Sequence, residues 1–241
     1  MADNLSVVIA AAGVGRRMGS GTNKQYMLLN SRPVLAYSLD VFAGFDPVKE
    51  IIVVANSREI NFCKEEVINK YGYQKISRVI GGGKERQDSV WIGLSWLDGS
   101  TDFVAVHDGA RPLLSPSLLE ELFRAAQKWG AAVPGIPVRD TLKMIDEEGF
   151  ISQTLDRHSI IAVQTPQVFR YSKLVEAYKK AYEEGFTGTD DASLFERYIG
   201  RVKMVPGDHK NIKITFPEDL IAARSLLEAG AGNEGRVREQ E

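Results

Sequence analysis

Near its start the chain carries a β-branched apolar run, Val7-Val8-Ile9, that empties directly into small residues, Ala10 to Gly15. A strand that ends in a glycine loop leaves backbone N–H groups unpaired and lets the main chain approach a ligand closely. Such concavities hold anions, phosphate above all. Two adjacent arginines, Arg16 and Arg17, follow the loop, and Lys24 follows a bend rich in Gly, Ser and Asn. Placed cations at this point suit a triphosphate whose charge grows toward a transition state. Two commoner phosphate loops are set aside. The pattern G-x-G-x-x-G fits Gly13 and Gly15, but its third glycine falls on Met18, and no G-K-[ST] completes a Walker loop.

The rest of the chain repeats the theme of apolar strands with polar ends. Ile51-Ile52-Val53-Val54 is an unbroken run of the kind buried on both faces of a parallel sheet. Val79-Ile80 runs into Gly81-Gly82-Gly83, and Phe103 to Val106 ends in His107-Asp108. Helical spacing lies between these runs: Leu35, Leu39 and Phe42, then Ile60, Val67 and Ile68, then Val90, Leu94 and Leu97. Ser117 with Glu120 reads as a capping box for a helix through Trp129 that stops at Gly130, and Ala131 to Val138 returns as a strand. Ser172 opens a helix with Leu174, Ala177, Tyr178 and Ala181 on one side. Asp190 and Asp191 open another, where acidic residues suit the positive helix end, so capping alone accounts for them. Val202–Val205 and Ile212–Ile214 read as short strands, and Thr215 with Glu218 as the cap of a last helix over 220–229. This order predicts an α/β fold, a three-layer sandwich with a mostly parallel sheet. One domain over 1–229 is expected, with a flexible glycine- and charge-rich tail over 230–241.

Between Arg139 and Arg157 the character changes. Two strand-like pieces, Thr141–Ile145 and Phe150–Leu155, flank an acidic turn and predict a protruding β-hairpin. A hairpin that buries little of its own surface is marginal alone, so the arm is expected to pack on something.

Composition narrows the function classes. A net charge of −2 argues against a general nucleic-acid binder. Cys63 is the only cysteine, which suits a reducing compartment, and its expected role is that of a small buried side chain. No apolar run reaches the ~20 residues needed to span a bilayer, and the first residues lack a secretory pattern, so a cytoplasmic protein is expected. The three histidines stand far apart, with no zinc spacing. His107 reads as a residue satisfied by a local hydrogen bond.

The blocks GGGKERQDSV at 81–90, HDGARP at 107–112, PVRDTLK at 137–143, TLDR at 154–157, QTPQVF at 164–169, TDDAS at 189–193 and NIKIT at 211–215 accompany the first loop in order. Together they resemble the sugar-phosphate nucleotidyltransferases, specifically the cytidylyltransferases acting on 2-C-methyl-D-erythritol 4-phosphate. The resemblance spans nearly the whole chain and departs at Gly109, where the family commonly has alanine. It implies a Rossmann-like nucleotidyltransferase fold, Mg2+ held mainly by substrate phosphates, and a homodimer formed through the arm 139–157. It also implies that CTP meets an acceptor phosphate whose oxygen attacks the α-phosphorus in line. That oxygen is already ionised, so positioning and charge neutralisation carry the rate.

Residue roles follow from the resemblance. Arg17, Lys24 and Lys213 are the expected catalytic cations, and Arg16 supports the triphosphate with the loop glycines Gly13 and Gly15. Backbone near Ala11, Ala12 and Gly83, with Ser89, is expected to read cytosine, and Arg86 belongs to the same nucleotide block. Asp108 would contact the ribose or help hold the metal, and Arg111 would orient Asp108 or a phosphate. Thr141, Arg157, Thr165 and Thr189 are expected around the acceptor with Lys213. Three other readings remain open from sequence. They are a cytidylyltransferase using ribitol 5-phosphate, a catalytically silent nucleotide-binding protein that recruits partners through the arm, and a nicotinamide-dependent reductase, which Met18 disfavours.

Overall fold

The computed structural model describes residues 3–13 and 23–237, with side chains through 229. Gly15, Arg16 and Arg17 lie outside the described residues. β1 (Leu5–Ala11) points Leu5, Val7, Ile9 and Ala11 to one face and Val8 to the other. A small hairpin of β2 (Leu28–Leu29) and β3 (Arg32–Pro33) leads into α1 (Val34–Gly44). After β4 (Val48–Ala55) comes α2 (Ile60–Phe62), continued by a π-helical stretch, Cys63–Asn69. β5 (Ile76–Gly81), α3 (Arg86–Ser95), β6 (Phe103–Asp108), α4 (Pro116–Trp129) and β7 (Ala131–Pro137) alternate as expected. The arm follows as β8 (Lys143–Ile145) and β9 (Ile151–Thr154). The chain then adds β10 (Ile161–Val163), β11 (Gln167–Arg170), α5 (Tyr171–Glu183), α6 (Asp191–Tyr198), β12 (Lys203–Pro206) and α7 (Pro217–Val237).

The central sheet has the order β10-β7-β11-β6-β1-β4-β5, with β12 beside β7. β1, β4, β5 and β6 are mutually parallel, β12 is parallel to β7, and β11 and β10 run antiparallel to their neighbours. On one face α1, α4 and the Cys63–Asn69 stretch cover Val7, Ile9, Ile51, Val53 and Ala105. On the other, α3, α5 and α6 cover Val8, Ile52, Val54, Val104 and Val106. That is the mostly parallel three-layer sandwich, and its two apolar faces explain the unbroken strand runs. α3 sits so close that a Cβ on Gly93 would lie 2.5 Å from Val8 Cγ1.

Local details differ from expectation where proline or a distant partner intervenes. α4 is capped by Ser115, whose Oγ accepts the Leu118 N–H at 3.3 Å, because Pro116 with its fixed φ takes the first helical position. Glu120 pairs with Arg124 instead of closing a box with Ser117. At α7, Asp219 accepts the N–H groups of Thr215 and Phe216, both at 2.8 Å, so Thr215 and Glu218 are not the cap. The helix also continues past 229 to Val237. Residues 212–214 join no ladder. Ile214 gives one hydrogen bond, to Ala110 O at 2.8 Å, and buries its side chain with Leu29, Val34 and Ala223.

The arm is a separate two-stranded sheet. Every residue of β8 and β9 is exposed, Ile145 at 66%, as is Phe150 between them at 67%, while Leu142 and Leu155 at the base are half-buried.

Candidate active site

The sheet order places a crevice. From β1 the chain steps outward to β4 and β5, then returns to the opposite side of β1 as β6. At such a reversal the connections leave in opposite directions and open a cleft at the carboxyl ends of the strands. Here the cleft is lined by Ala10 to Gly13 at the end of β1 and beyond it, Lys24 and Gln25, Gly83 to Arg86 with Ser89 at the start of α3, Asp108 at the end of β6 with Ala110 beyond it, and Lys213. Of the sequence-expected residues it therefore unites Ala11, Ala12, Gly13, Lys24, Gly83, Arg86, Ser89, Asp108 and Lys213.

Asp108 is the electrostatic centre. Arg86 Nε donates to its Oδ1 at 3.1 Å, and Lys213 Nζ approaches its Oδ2 at 2.6 Å. Burial alone would raise this carboxyl, but the Arg86 guanidinium and the Lys213 ammonium outweigh it and hold it well below the ordinary carboxylate range. Arg86 also donates from Nη2 to Asp191 Oδ2 at 2.7 Å, so two carboxylates keep it charged despite burial.

Beneath Asp108 lies a directed relay of neutral groups. The Asp108 N–H donates to Thr165 Oγ1 at 3.1 Å, and Thr165 Oγ1 lies 3.2 Å from His107 Nδ1. His107 Nε2 lies 3.1 Å from the Arg111 carbonyl, which can only accept. The neutral ring thus carries its proton on Nε2 and accepts a hydrogen bond from the Thr165 hydroxyl at Nδ1. Complete burial pushes the His107 pKa down to about 4. Since the unfolded chain takes up this proton near pH 6.5 and the folded chain does not, stability falls as pH drops from about 6.5 to 4, by up to about 3 kcal/mol. Urea midpoints at pH 7 and pH 4.5 check this: the loss is expected to shrink in His107→Gln, and an identical loss in both proteins would contradict it.

The other expected residues stand elsewhere. Arg111 is not among the lining residues: its Nη1 donates to the carbonyl of the buried Asn211 at 2.7 Å. Asn211 Nδ2 in turn donates to Thr165 O at 2.9 Å, which ties the segment bearing Lys213 to the floor. Thr165 is buried with its hydroxyl committed to the relay. Thr189 is exposed just ahead of α6. Thr141 and Arg157 are exposed on the arm, where Arg157 Nη1 donates to Arg139 O at 2.8 Å. Asp190 caps α6 through the Ser193 N–H at 2.9 Å and accepts Gln167 Nε2 at 2.7 Å. Cys63 is buried and its thiol is pushed up to about 11 by that burial.

The glycine triplet has a packing reason as well as the expected ligand reason. A Cβ on Gly81 would lie 2.6 Å from Ser57 Oγ, one on Gly82 2.5 Å from Ala12 Cβ, and one on Gly83 2.4 Å from Asp88 Cβ. Ser89 holds the loop by accepting the Gly83 N–H at 3.1 Å and donating to Glu85 O at 3.0 Å. Alanine at position 109 would put its Cβ 3.1 Å from Ala11 Cβ and 3.2 Å from Leu35 Cδ1. That contact needs only a small shift of neighbours.

Sequence reasoning missed Gln25 and Asp191. Gln25 is buried and donates to Ala11 O at 2.6 Å, which fixes Lys24 beside the end of β1. Its only signal was adjacency to Lys24. No group of three or more His, Cys, Asp or Glu side chains suited to a metal occurs among the described residues, and no helix among them is long and apolar enough to cross a membrane.

Comparison with known proteins agrees with this geometry. The family model described as 2-C-methyl-D-erythritol 4-phosphate cytidylyltransferase matches residues 5–229. A protein of that name from Caldanaerobacter subterraneus subsp. tengcongensis is 47% identical over 224 residues, 93% of this chain and 99% of its own. Another, from Syntrophotalea carbinolica, is 45% identical over 92% of this chain and 95% of its own. Among solved structures, 4-diphosphocytidyl-2C-methyl-D-erythritol synthase from Anaerococcus prevotii superposes with a TM-score of 0.83 at 33% identity, covering 94% of this chain and 96% of that one. The Thermus thermophilus 2-C-methyl-D-erythritol 4-phosphate cytidylyltransferase gives 0.75 at 32% identity, covering 92% and 98%. With the matched region reaching from β1 into α7 and taking in every wall of the cleft, the chain belongs to the 2-C-methyl-D-erythritol 4-phosphate cytidylyltransferase family.

Proposed function

We infer that this chain transfers the cytidylyl group of CTP to 2-C-methyl-D-erythritol 4-phosphate, giving the CDP-alcohol and pyrophosphate. The observation that carries the inference is the cleft at the β1/β6 switch point, where Arg86 and Lys213 hold one ionised carboxylate and Lys24 lines the same wall, in a chain of this family. An acceptor phosphate oxygen forms the new bond to the α-phosphorus while the bond to the bridging oxygen breaks and its electron pair leaves with pyrophosphate. No side chain needs to remove a proton. Lys24 and Arg17 stabilise the charge that builds on the α-phosphate and the leaving group, and Arg16 supports the triphosphate. Asp108 fixes Lys213 at 2.6 Å, so this ammonium is aimed before substrate arrives. Ribitol 5-phosphate as acceptor, and a silent nucleotide-binding role, are the less favoured readings.

A divalent ion fits the donor set only as a passenger of the phosphates. Asp108 lines the cleft and would reach the ion only on releasing Arg86 or Lys213, which hold its two oxygens, and the Glu85 side chain is occupied in capping α3. Mg2+ would suit such a site, since it keeps several waters and would supply neutralisation of the phosphates' charge. The arm, with its exposed Ile145, Phe150 and Ile151, is the proposed seat of a homodimer. In that assembly Thr141 and Arg157 serve the partner's acceptor site.

Base selectivity tests the assignment. Backbone groups near Ala11, Ala12 and Gly83 that match the amino group of cytosine would meet the wrong polarity in uracil, at about 1–3 kcal/mol for each mismatched group. A kcat/KM for CTP at least tenfold above that for UTP is expected. Equal values would overturn the cytidylyl assignment.

A further inference from the structure

We propose that Asp191 is a positioning residue that divides the Arg86 guanidinium between two carboxylates and thereby keeps one oxygen of Asp108 free for Lys213. Asp191 opens α6 and is wholly buried. Its Oδ1 accepts the Tyr178 hydroxyl at 2.6 Å and its Oδ2 accepts Arg86 Nη2 at 2.7 Å. Tyr178 is itself buried and stacks on Trp91 of α3, ring centroids 5.8 Å apart, so the carboxylate is braced from α5. Arg86 is left with Nε for Asp108 Oδ1, at 3.1 Å, and Lys213 takes Oδ2. The order Tyr178, Asp191, Arg86, Asp108, Lys213 therefore runs from the core to the cleft wall. Two cations and two carboxylates balance within it.

A guanidinium prefers to engage a carboxylate with both arms of its fork. Without the Asp191 carboxylate, Nη2 loses its partner and Arg86 closes on both oxygens of Asp108. Lys213 is then displaced from Oδ2, and the cleft also gains one uncompensated positive charge. Position 191 thus controls the nucleotide site without touching it. Local sequence hides this role, because Asp191 reads as a helix-end acid beside the true cap, Asp190.

The proposal rests on the cytidylyltransferase reading, and the experiment separates the two. Pyrophosphate release from CTP and 2-C-methyl-D-erythritol 4-phosphate is measured for wild type, Asp191→Asn, Arg86→Met and the double variant, with thermal melting in parallel. Asp191→Asn is expected to lower kcat/KM for CTP at least tenfold in protein that is still folded. In the Arg86→Met background the same change is expected to lower it no further, and to raise the melting temperature by relieving an unpaired buried carboxylate. An additive loss in the double variant, or a normal kcat/KM in folded Asp191→Asn, would overturn the proposal. If Asp191→Asn does not fold, Asp191→Ser enters the same cycle. Failure of both to fold in either background would make the role purely structural and overturn it too. A wild-type protein that releases no pyrophosphate from CTP would overturn the underlying reading and this proposal together.

Discussion

Replacing Lys24 with alanine is expected to lower kcat by about 10²–10³, the loss seen when one preorganised donor is taken from developing charge. The turn Lys24–Tyr26 is built for placement. Gln25 is pinned to the carbonyl of Ala11 at 2.6 Å, Tyr26 packs edge-on against Phe62 with ring centroids 5.1 Å apart, and Asn23 Nδ2 donates to Glu59 at 2.6 Å. An ammonium carried on such a turn pays little to order itself in the transition state. If Lys24 acts, as proposed, on charge that is largest in the transition state, KM for CTP should move much less than kcat. Steady-state kinetics of Lys24→Ala at saturating CTP and acceptor make the check, and a kcat within threefold of wild type would remove Lys24 from the chemistry.

A second large effect is expected from mixing two inactive proteins, Lys24→Ala and Arg157→Ala. In one chain Arg157 sits on the exposed arm and donates to Arg139 O, while Lys24 lines the cleft. Met144, Ile145, Phe150 and Ile151 of the arm stand exposed among the described residues. A two-fold partner would bury them, since closed isologous dimers are the commonest assembly. Arm exchange would then carry Arg157 to the neighbour's acceptor phosphate. Refolded together, the two variants should form mixed dimers in which one site holds both defects and the other neither. With random pairing roughly a quarter of all sites are whole. Activity near a quarter of wild type is the expected recovery. No recovery, with mixed dimers demonstrated by differential tagging, would return Arg157 to its own subunit's site.

What the sequence made legible was local. The central parallel strands were readable because burial on both faces leaves unbroken runs such as Ile51–Val54, and α6 was readable from its opening aspartates, whereas β10, half-buried and exposed at the sheet edge, was not read. The arm was readable because its acidic turn separates two short apolar pieces. Caps were harder. Ser117 and Glu120 have the right spacing, yet Pro116 one residue earlier decides where α4 starts. Pairings across the chain left no local trace: Arg86 meets Asp191 from 105 residues away, and Asn211 meets Arg111 from 100. Lys213 shows both sides. Its position opposite two isoleucines was visible, but not that the segment leaves the sheet and delivers the ammonium to Asp108. The glycines at 81–83 announced a close approach, and the approaching atoms include the protein's own Ser57, Ala12 and Asp88.

The central claim is that this cleft joins CTP to one particular sugar-alcohol phosphate. Pyrophosphate release from CTP, followed with 2-C-methyl-D-erythritol 4-phosphate, with ribitol 5-phosphate and with no acceptor, tests it most directly. Rapid release is expected with the first, at least a hundredfold slower release with the second, and none above background without acceptor. Equal rates with the two alcohol phosphates, or release that needs neither, would contradict it.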